Sequence, residues 1–364
     1  MKFLFEKLQQ RCTRHPQSVV LSSGKRELTL EQLLEQVNQL ASFLSESKMS
    51  CIALYMDNSI EWILADLAAM KAEITLIPIP LFFSENQINH LVENAGIQAV
   101  LTQPGLESKF EYCGKTDLPG MQLVHLKYLK AVNKELKQVV KITYTSGSTG
   151  QPKGVCLSEK NIRAVTEALS VSIDNLGISR HLCVMPLATL LENIAGLYVP
   201  LMMGSCIQVE PLSRLGFQDS SSFDSSKFMS SIEEYKPHSV ILLPQLLTCL
   251  IQLKQQYPDN FESLCFAAVG GGKSSPASII QANLLGLPVY EGYGLSECAS
   301  VVSLNNPANS KSGSVGKVLS HTQIRISSDG EIIVAGQAMQ GYLGDANLGQ
   351  QTSREIHTGD LGYI

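Results

Sequence analysis

The sequence lacks several features that would set it apart from ordinary globular proteins. It contains no apolar run of the ~18 residues that a membrane-spanning helix needs. It has no dense basic block, and its 28 lysines and arginines are outnumbered by 33 acidic residues. Because nucleic-acid-binding surfaces carry such blocks, we expect no nucleic-acid partner. The charges within Met1 to Lys7, and the lack of a small-residue cleavage site there, predict no signal peptide.

Paired cysteines are also lacking. The nine cysteines are odd in number, none forms a Cys-x-x-Cys pair, and several lie inside apolar segments (Cys51, Cys183, Cys206 and Cys265). A disulfide or zinc framework uses regularly spaced pairs, so we predict reduced, buried thiols instead. Free thiols of this kind are typical of the cytoplasm, where we expect this chain to act.

The first half of the sequence alternates strand-like and helix-like segments. Residues 51–56, 74–80 and 99–102 are short apolar runs typical of buried strands, and amphipathic segments lie between them. The helical segment before the first of these runs opens on a capping box of Thr29 and Gln32. Strands alternating with helices predict an α/β fold with a doubly wound, parallel sheet.

The alternation restarts after residue 180, and the pattern changes after residue 311, where two strand-like runs flank Asp329-Gly330, a strong hairpin signal. We therefore predict two doubly wound α/β sub-domains packed together, residues 1–170 and 171–311. A small antiparallel, β-barrel-like sub-domain follows at residues 312–364.

Two segments give weaker signals. Residues 103–138 have little periodicity, and residues 213–226 are rich in serine and aspartate, which predicts a surface loop.

The most informative segment is ITYTSGSTGQPKGV at residues 142–155. Its glycines let backbone N–H groups approach phosphate oxygens, its hydroxyls add donors, and Lys153 supplies a positive charge. This composition after a strand signal predicts a polyphosphate-binding loop, and a flexible Ser/Gly surface loop is the simpler alternative. A Walker-type loop would need a glycine at 152 and a serine or threonine at 154. The sequence has Pro152 and Gly154, which makes a Walker-type NTPase the weakest hypothesis.

This segment resembles the adenylate-forming superfamily of acyl-CoA synthetases, luciferases and peptide-synthetase adenylation domains. Residues 145–154 match that family's phosphate loop, T-S-G-S-T-G-x-P-K-G, throughout. Further matches follow in the family's order: Gly270-Gly271-Gly272-Lys273, the Y-G-x-[ST]-E signature within YEGYGLSE at 290–297, Gly313 to Gly316, Gly341-Tyr342, and Thr358-Gly359-Asp360. The resemblance covers nearly the whole chain, and it implies an ATP-dependent ligase that activates a carboxylic acid as its acyl-AMP.

The resemblance also implies roles for individual residues. Tyr293 is expected to stack on adenine, and Asp360 to accept hydrogen bonds from the ribose hydroxyls. Ser296 is expected to donate to the α-phosphate, and Glu297 to hold Mg²⁺; these two and Thr145 are the catalytic candidates. The remaining ATP-contacting candidates are Ser146, Gly147, Ser148, Thr149, Gly150, Lys153, Gly271, Gly272, Lys273 and Gly294. In-line attack on phosphorus needs no side-chain nucleophile, so His181, His238 and His321 are interpreted as structural.

Three segments bear on the nature of the acid. Residues 185–197 look most like the acyl-CoA synthetase branch, in which many members carry P-L-x-H-x-x-E; here Thr189 replaces the histidine and Glu192 remains. No aspartate is placed to pair with the amino group of an amino acid, since Asp224 lies in the polar loop. Apolar and small residues at 187–196, 269–272 and 292–299 favour a medium or long fatty acid, with an aryl or small branched acid as the alternative.

The family has a smaller C-terminal domain that supplies a lysine for adenylation and builds the thioester-forming site. The sequence ends at Ile364, just past Asp360, so we expect that domain to be absent. We expect this chain to bind ATP and acyl-AMP, to adenylate weakly and to form no thioester. Coenzyme A is the expected acceptor, with the phosphopantetheine of an acyl-carrier protein as the alternative. A non-catalytic adenylate-binding module is the second hypothesis.

Overall fold

The structure is a computed structural model, and it describes residues 2–127, 136, 138–145, 152–218, 222–345, 348 and 355–364. Its helices are α1 (Lys2–Cys12), α2 (Leu30–Glu46), α3 (Ile60–Lys71), α4 (Glu85–Ala95), α5 (Glu159–Ile173), α6 (Val199–Met203), α7 (Ser225–Tyr235), α8 (Pro244–Gln256) and α9 (Pro276–Leu284). In the part of the chain that is described, no helix is long and apolar enough to cross a membrane.

The strands fall into two sets according to the part of the chain that they occupy. The earlier set is β1 (Val19–Ser23), β2 (Arg26–Thr29), β3 (Cys51–Tyr55), β4 (Thr75–Pro78), β5 (Ala99–Thr102), β6 (Tyr112–Leu118), β7 (Met121–Leu126), β8 (Lys141–Thr145) and β9 (Lys153–Leu157). The later set is β10 (Arg180–Cys183), β11 (Cys206–Val209), β12 (Ser239–Leu242), β13 (Phe266–Val269), β14 (Val289–Leu295), β15 (Ser300–Leu304), β16 (Lys317–Val318), β17 (Thr322–Ile326), β18 (Glu331–Gly336), β19 (Gly341–Tyr342) and β20 (Ile356–Leu361).

The chain divides into two compact units. The first comprises Met1–Glu159, Pro186–Thr189 and Met339–Thr352. Its eight-stranded sheet has the order β19-β9-β8-β4-β3-β5-β7-β6. The central strands β3, β4, β5 and β8 are parallel to one another, and β6, β7, β9 and β19 add antiparallel pairs at the two sides.

Local sequence explains why the helices of this unit begin where they do. The capping box predicted at Thr29 and Gln32 opens α2, and a second box of Ser84 and Gln87 opens α4. In each box the hydroxyl accepts from the backbone of the glutamine while the glutamine side chain accepts from the backbone of the cap, so two otherwise unpaired N–H groups are satisfied. The apolar faces of these helices then pack into the unit.

The second unit comprises Lys160–Met185, Leu190–Ala338 and Ser353–Ile364. Its main strands lie in the order β16-β15-β14-β13-β12-β10-β11. Strands β10 to β14 are mutually parallel, and β15 and β16 are antiparallel additions. A core that includes Leu182, Phe228, Val240 and Leu250 lies between these strands and their helices.

A separate antiparallel sheet, β17-β18-β20, also belongs to the second unit. Its first hairpin turns at the predicted Asp329-Gly330 position. Parallel sheets with helices, together with antiparallel additions, confirm the mixed α/β class. The three-part division at residues 170 and 311 stays a prediction.

One helical segment departs from the expected geometry. The sequence predicts an ordinary helix over residues 192–203, but Glu192–Tyr198 forms a π-helix that runs directly into α6. π-Helical turns are rare and occur often at functional sites. Gly196 lies inside this turn, where a methyl group would be only 2.2 Å from Oε1 of Glu192 and 2.8 Å from Nε2 of His181. A glycine is therefore required for this packing.

Candidate nucleotide and acyl site

The phosphate-loop candidates at the two ends of the loop lie in the first unit. Strands β8 and β9 form an antiparallel hairpin in which Thr145 faces Lys153. Ser146, Gly147, Ser148, Thr149 and Gly150 lie outside the described residues. The structure therefore brings together Thr145 and Lys153 of the predicted loop, at the end of the hairpin from which the loop extends.

The stem of this hairpin is held by side chains from its own unit. His90 Nε2 lies 3.2 Å from the carbonyl oxygen of Pro152, and the hydroxyl of Tyr144 donates to Asn94 Oδ1 at 2.8 Å. Lys153 is exposed, and its ammonium lies 5.4 Å from the centre of the Tyr342 ring, within the range of a cation–π contact. The sequence gives no signal that Tyr342 lies near Lys153. The two residues meet because strand β19, which carries Tyr342, pairs with β9.

The other candidates lie in the second unit, and all of them except Asp360 lie at or just after the carboxyl ends of two adjacent strands, β13 and β14. Val269 of β13 faces Glu291 of β14, so the glycines that follow β13 lie beside the second half of β14. The position of a Cβ on Gly270 would be 3.5 Å from the carbonyl oxygen of Gly292. Gly271, Gly272 and Lys273 are exposed at this edge. Ligands of open α/β sheets bind outside the carboxyl ends of strands, which is where these residues lie.

Tyr293 and Asp360 are in direct contact. The hydroxyl of Tyr293 donates to Oδ2 of Asp360 at 2.7 Å. Burial is the main reason why the pKa of Tyr293 lies well above its ordinary value, and the Asp360 carboxylate adds to the shift while Thr358 opposes it. The phenol therefore remains a hydrogen-bond donor throughout the neutral range. Asp360 itself is exposed.

Ser296 and Glu297 lie on a strained turn directly after β14. They begin a short 3₁₀ turn that ends at Cys298. The next two residues, Ala299 and Ser300, have positive φ angles of 56° and 97°. A Cβ on Gly294 would lie 1.6 Å from the carbonyl oxygen of Ser300, so only glycine fits there. Strained backbone of this kind clusters at functional sites. The turn leaves both Ser296 and Glu297 half-buried.

Apolar side chains surround the glycines that follow β13. Cδ2 of Leu243 lies 2.9 Å from the position of a Cβ on Gly271, and Cδ2 of Leu191 lies 3.8 Å from that of Gly270. This part of the second unit therefore offers an apolar lining.

The sequence predicts that Asp224 does not pair with the amino group of a substrate. In the structure Asp224 caps α7 by accepting from the backbone of Ser226 and Lys227.

Thr189, which stands where many acyl-CoA synthetases have a histidine, stabilises a local turn. The hydroxyl of Thr189 donates to the carbonyl oxygen of Pro186 at 2.7 Å and so closes a turn. Glu192 is completely buried and lies 3.1 Å from Nε2 of His181. The sequence predicts structural roles for His181 and Cys183, and it does not reveal the cluster that they form with Glu192.

The chain belongs to the AMP-binding enzyme family, whose family model matches residues 8–343. Two relatives are the 2-succinylbenzoate–CoA ligases of Enterococcus faecalis and Bacillus pumilus, which are 27% and 24% identical to this chain. The matches cover 86% and 96% of this chain, and 66% and 73% of the relatives. The chain therefore spans about two thirds to three quarters of the length of these relatives.

Solved structures show the same fold. A long-chain-fatty-acid–CoA ligase from Archaeoglobus fulgidus matches with a TM-score of 0.81 at 18% identity, over 99% of this chain and 82% of that one. An o-succinylbenzoate–coenzyme A synthetase from Bacillus subtilis, solved with ATP and a magnesium ion, matches with a TM-score of 0.76 at 22% identity, over 98% of this chain and 77% of that one. At these identities the likeness establishes the fold alone.

Proposed function

We propose that this chain activates a carboxylic acid with ATP, forming acyl-AMP and releasing pyrophosphate, as the first half of an acid–thiol ligase reaction. The observation that carries the proposal is the hydrogen bond between Tyr293 and Asp360, in a chain that belongs to the AMP-binding enzyme family. The two residues come from separate motifs, each of which the resemblance assigns to the nucleoside. Their contact supports a common nucleoside-binding role.

In the proposed reaction, an oxygen of the substrate carboxylate attacks the α-phosphorus of ATP. A new C–O–P linkage forms, the bond to the β-phosphate oxygen breaks, and pyrophosphate leaves with the electron pair. Because no side chain attacks, the protein contributes positioning and stabilisation of charge on the phosphate oxygens. The resemblance assigns Thr145, Lys153 and Ser296 to those oxygens as donors, and we keep that assignment as part of the proposal.

Asp360 and Tyr293 are assigned to the nucleoside. A carboxylate has more than one acceptor site, so Asp360 can accept from Tyr293 and from ribose hydroxyls together. The Tyr293 ring is then held at one edge by its hydroxyl, which limits its rotation and leaves a face for adenine. This arrangement supports stacking by a ring that is already oriented.

Glu297 fits the expected role of magnesium ligand. It supplies a carboxylate from a strained turn, and Mg²⁺ is commonly bound by one or two carboxylates together with substrate phosphates. Mg²⁺, when bound, would neutralise charge on the phosphates.

We propose an apolar acid as the substrate, with a medium or long fatty acid first. Leu191 and Leu243 support this choice, because they line the glycines after β13 with hydrocarbon. An aryl acid is the second candidate, favoured by the two relatives, which are 2-succinylbenzoate–CoA ligases. Coenzyme A is the proposed acceptor of the complete reaction, with a carrier phosphopantetheine as the alternative.

The proposal is tested by thermal stabilisation of this chain with Mg-ATP and with non-hydrolysable acyl-AMP analogues. A ligand that binds only the folded state stabilises it by RT ln(1 + [L]/Kd). For a fatty-acid pocket, each added methylene contributes up to about 0.8 kcal/mol until the pocket is filled, so the shift should rise with chain length and then level off. A larger shift with a succinylbenzoyl analogue would select the aryl acid.

Two variants and one assay sharpen the result. Asp360→Ala should abolish the shift, whereas Asp259→Ala, which removes another exposed aspartate of the same unit, should leave it unchanged. Acid-dependent release of pyrophosphate from ATP separates an enzyme from a non-catalytic binding module. If no adenylate stabilises the folded chain, the proposed function is wrong; phosphate release without any acid would instead indicate an NTPase.

A further inference from the structure

Three side chains with metal-binding atoms meet inside the second unit. His181 and Cys183 are two positions apart on β10, so both point to the same face of the strand. Glu192, the first residue of the π-helix, approaches that face. A ring nitrogen of His181, Sγ of Cys183 and a carboxylate oxygen of Glu192 lie within 4.8 Å of one another, and all three residues are buried.

We propose that His181, Cys183 and Glu192 form a buried binding site for a divalent transition-metal ion, and that Zn²⁺ fits the donors best. Thiolate sulfur, imidazole nitrogen and carboxylate oxygen are the three donor types that zinc uses in proteins. The site is distinct from the nucleotide candidates and does not rest on the proposed function.

Electrostatics supports a dication at this position. A cysteine thiolate and a glutamate carboxylate carry two negative charges, which a divalent ion neutralises, while histidine binds in its neutral form. The site then has no net charge. Full burial makes this balance important, because an unpaired charge in the interior is strongly destabilising.

The surroundings of the cluster orient its ligands. Ser239 Oγ lies 2.9 Å from Nδ1 of His181, which turns Nε2 toward Glu192. A metal-binding histidine usually donates a hydrogen bond from its second ring nitrogen, and Ser239 Oγ can accept it here. Because Gly196 has no side chain, Glu192 and His181 can occupy the space beside it. The carbonyl oxygen of Gly196 is 3.6 Å from Sγ of Cys183. That oxygen, or a water molecule, would supply a fourth ligand.

Without an ion, the same contacts serve as hydrogen bonds. His181 Nε2 lies 3.1 Å from Oε1 of Glu192, and the thiol of Cys183 donates to the carbonyl oxygen of Gly196 at 3.6 Å. Binding of Zn²⁺ replaces the S–H bond with a Zn–S bond and releases that proton to solvent. No change of oxidation state is involved. The two states therefore differ in a bond that spectroscopy detects.

The test uses the whole chain without a histidine tag, produced in minimal medium that contains either Zn²⁺ or Co²⁺. Supplying the ion during synthesis matters because a fully buried site is closed once the chain has folded. Elemental analysis after dialysis against a chelator should find about one metal ion per chain. The cobalt form should show thiolate-to-cobalt charge-transfer absorption, which only a Co–S bond produces.

Variants assign the signal to the cluster. Cys183→Ser should remove the charge-transfer band, whereas Cys51→Ser, which alters another fully buried thiol, should retain it. Ser239→Ala keeps all three ligands and should weaken metal retention by roughly 10–100-fold, so it tests the site even if Cys183→Ser fails to fold. A folded wild-type chain that holds no zinc and no cobalt, or a band that persists in Cys183→Ser, would overturn the proposal and leave a hydrogen-bonded cluster only.

Discussion

The hydroxyl of Tyr293 donates a 2.7 Å hydrogen bond to Asp360 Oδ2, and this contact joins two motifs that lie 67 positions apart in the sequence. Tyr293 belongs to β14 and Asp360 to β20, which lie in different sheets of the second unit. The contact fixes the orientation of the ring relative to the carboxylate. A nucleoside bound by both residues would meet a site that is already arranged.

The first prediction concerns the separate contributions of the hydroxyl and the ring of Tyr293 to nucleotide affinity. Tyr293→Phe removes only the hydrogen bond to Asp360, so nucleotide affinity should fall by roughly five-fold, the equivalent of about 1 kcal/mol. Tyr293→Ala also removes the stacking surface and should weaken binding by a further tenfold or so, since stacking of a base on an aromatic ring is worth about 1–3 kcal/mol. Calorimetric titration with AMP and with ATP measures both effects.

The phenylalanine variant also has an internal check. In a double-mutant cycle with Asp360→Ala, which removes the acceptor, the two losses should be less than additive because the residues share one hydrogen bond. Equal affinities of the wild type, Tyr293→Phe and Tyr293→Ala would contradict the assignment of this ring to adenine.

Local signals explain which parts of the fold could be predicted. The capping box of Thr29 and Gln32 involves residues three positions apart, and the Asp329-Gly330 turn is set by two neighbours, so the sequence determines both directly. The hairpin of β6 and β7 was missed within residues 103–138. Strand β6 alternates between exposed and half-buried positions, but two of its three half-buried positions hold Gly114 and Thr116, and β7 is almost uniformly buried, so neither shows a clean two-residue period of apolar residues.

In the candidate site, too, the local motifs could be predicted from the sequence and the contacts between distant residues could not. The motifs that contain Tyr293 and Asp360 were evident from their residues, but their hydrogen bond depends on the paths of two sheets. The π-helix at Glu192–Tyr198 was not predictable, because its sequence also suits an α-helix and its geometry depends on packing against His181. The contact of Lys153 with Tyr342 was missed for a similar reason, since it joins residues from distant parts of the sequence.

The second prediction concerns Gly196. Gly196→Ala should destabilise the chain by about 1–3 kcal/mol, because the new methyl group would collide with Glu192 and His181 in a tightly packed interior. Gly114→Ala is the matched control: a Cβ there meets nothing within 4 Å and should change stability little. Urea unfolding followed by circular dichroism gives both free energies. If the two variants are equally stable, the close packing around Gly196 is wrong.

The third prediction is a pH dependence that arises from His321. Burial, opposed in part by the backbone of Val301, lowers the pKa of His321 from 6.5 to about 4. Between these two values the unfolded chain binds more protons than the folded chain, so this histidine makes stability fall as the pH falls from 6.5 to 4. Below pH 4 both states are protonated and the contribution becomes constant.

A substitution isolates that contribution. In His321→Phe, which cannot titrate, melting temperature should fall less steeply between pH 6.5 and 4 than in the wild type. His15→Gln replaces an exposed histidine and should leave the wild-type slope unchanged. Parallel pH profiles for the wild type and His321→Phe would show that His321 is solvated in the folded chain.

The last prediction concerns the ion pair between Lys141 and Asp66, which is buried in the first unit. The ammonium of Lys141, at the start of β8, lies 2.6 Å from Oδ1 of Asp66, with side-chain exposures of 1% and 0%. Burial lowers the pKa of Lys141 even though the Asp66 charge opposes that shift. Lys141→Met should therefore destabilise the chain by about 3–5 kcal/mol, because it leaves a carboxylate buried without its counter-charge.

Two comparisons distinguish this effect from a general loss of packing. Arg163→Met breaks an exposed pair with Glu167 and should cost no more than about 0.5 kcal/mol, since solvent screens that pair. The double variant Asp66→Leu/Lys141→Met removes both charges and should recover most of the loss, because an apolar pair of similar volume replaces a buried ion pair at little cost. Urea unfolding at one pH measures all of them. A double variant that is no more stable than Lys141→Met would mean that Asp66 stabilises the chain through its other contacts; equal losses for Lys141→Met and Arg163→Met would mean that the Lys141 pair is open to water.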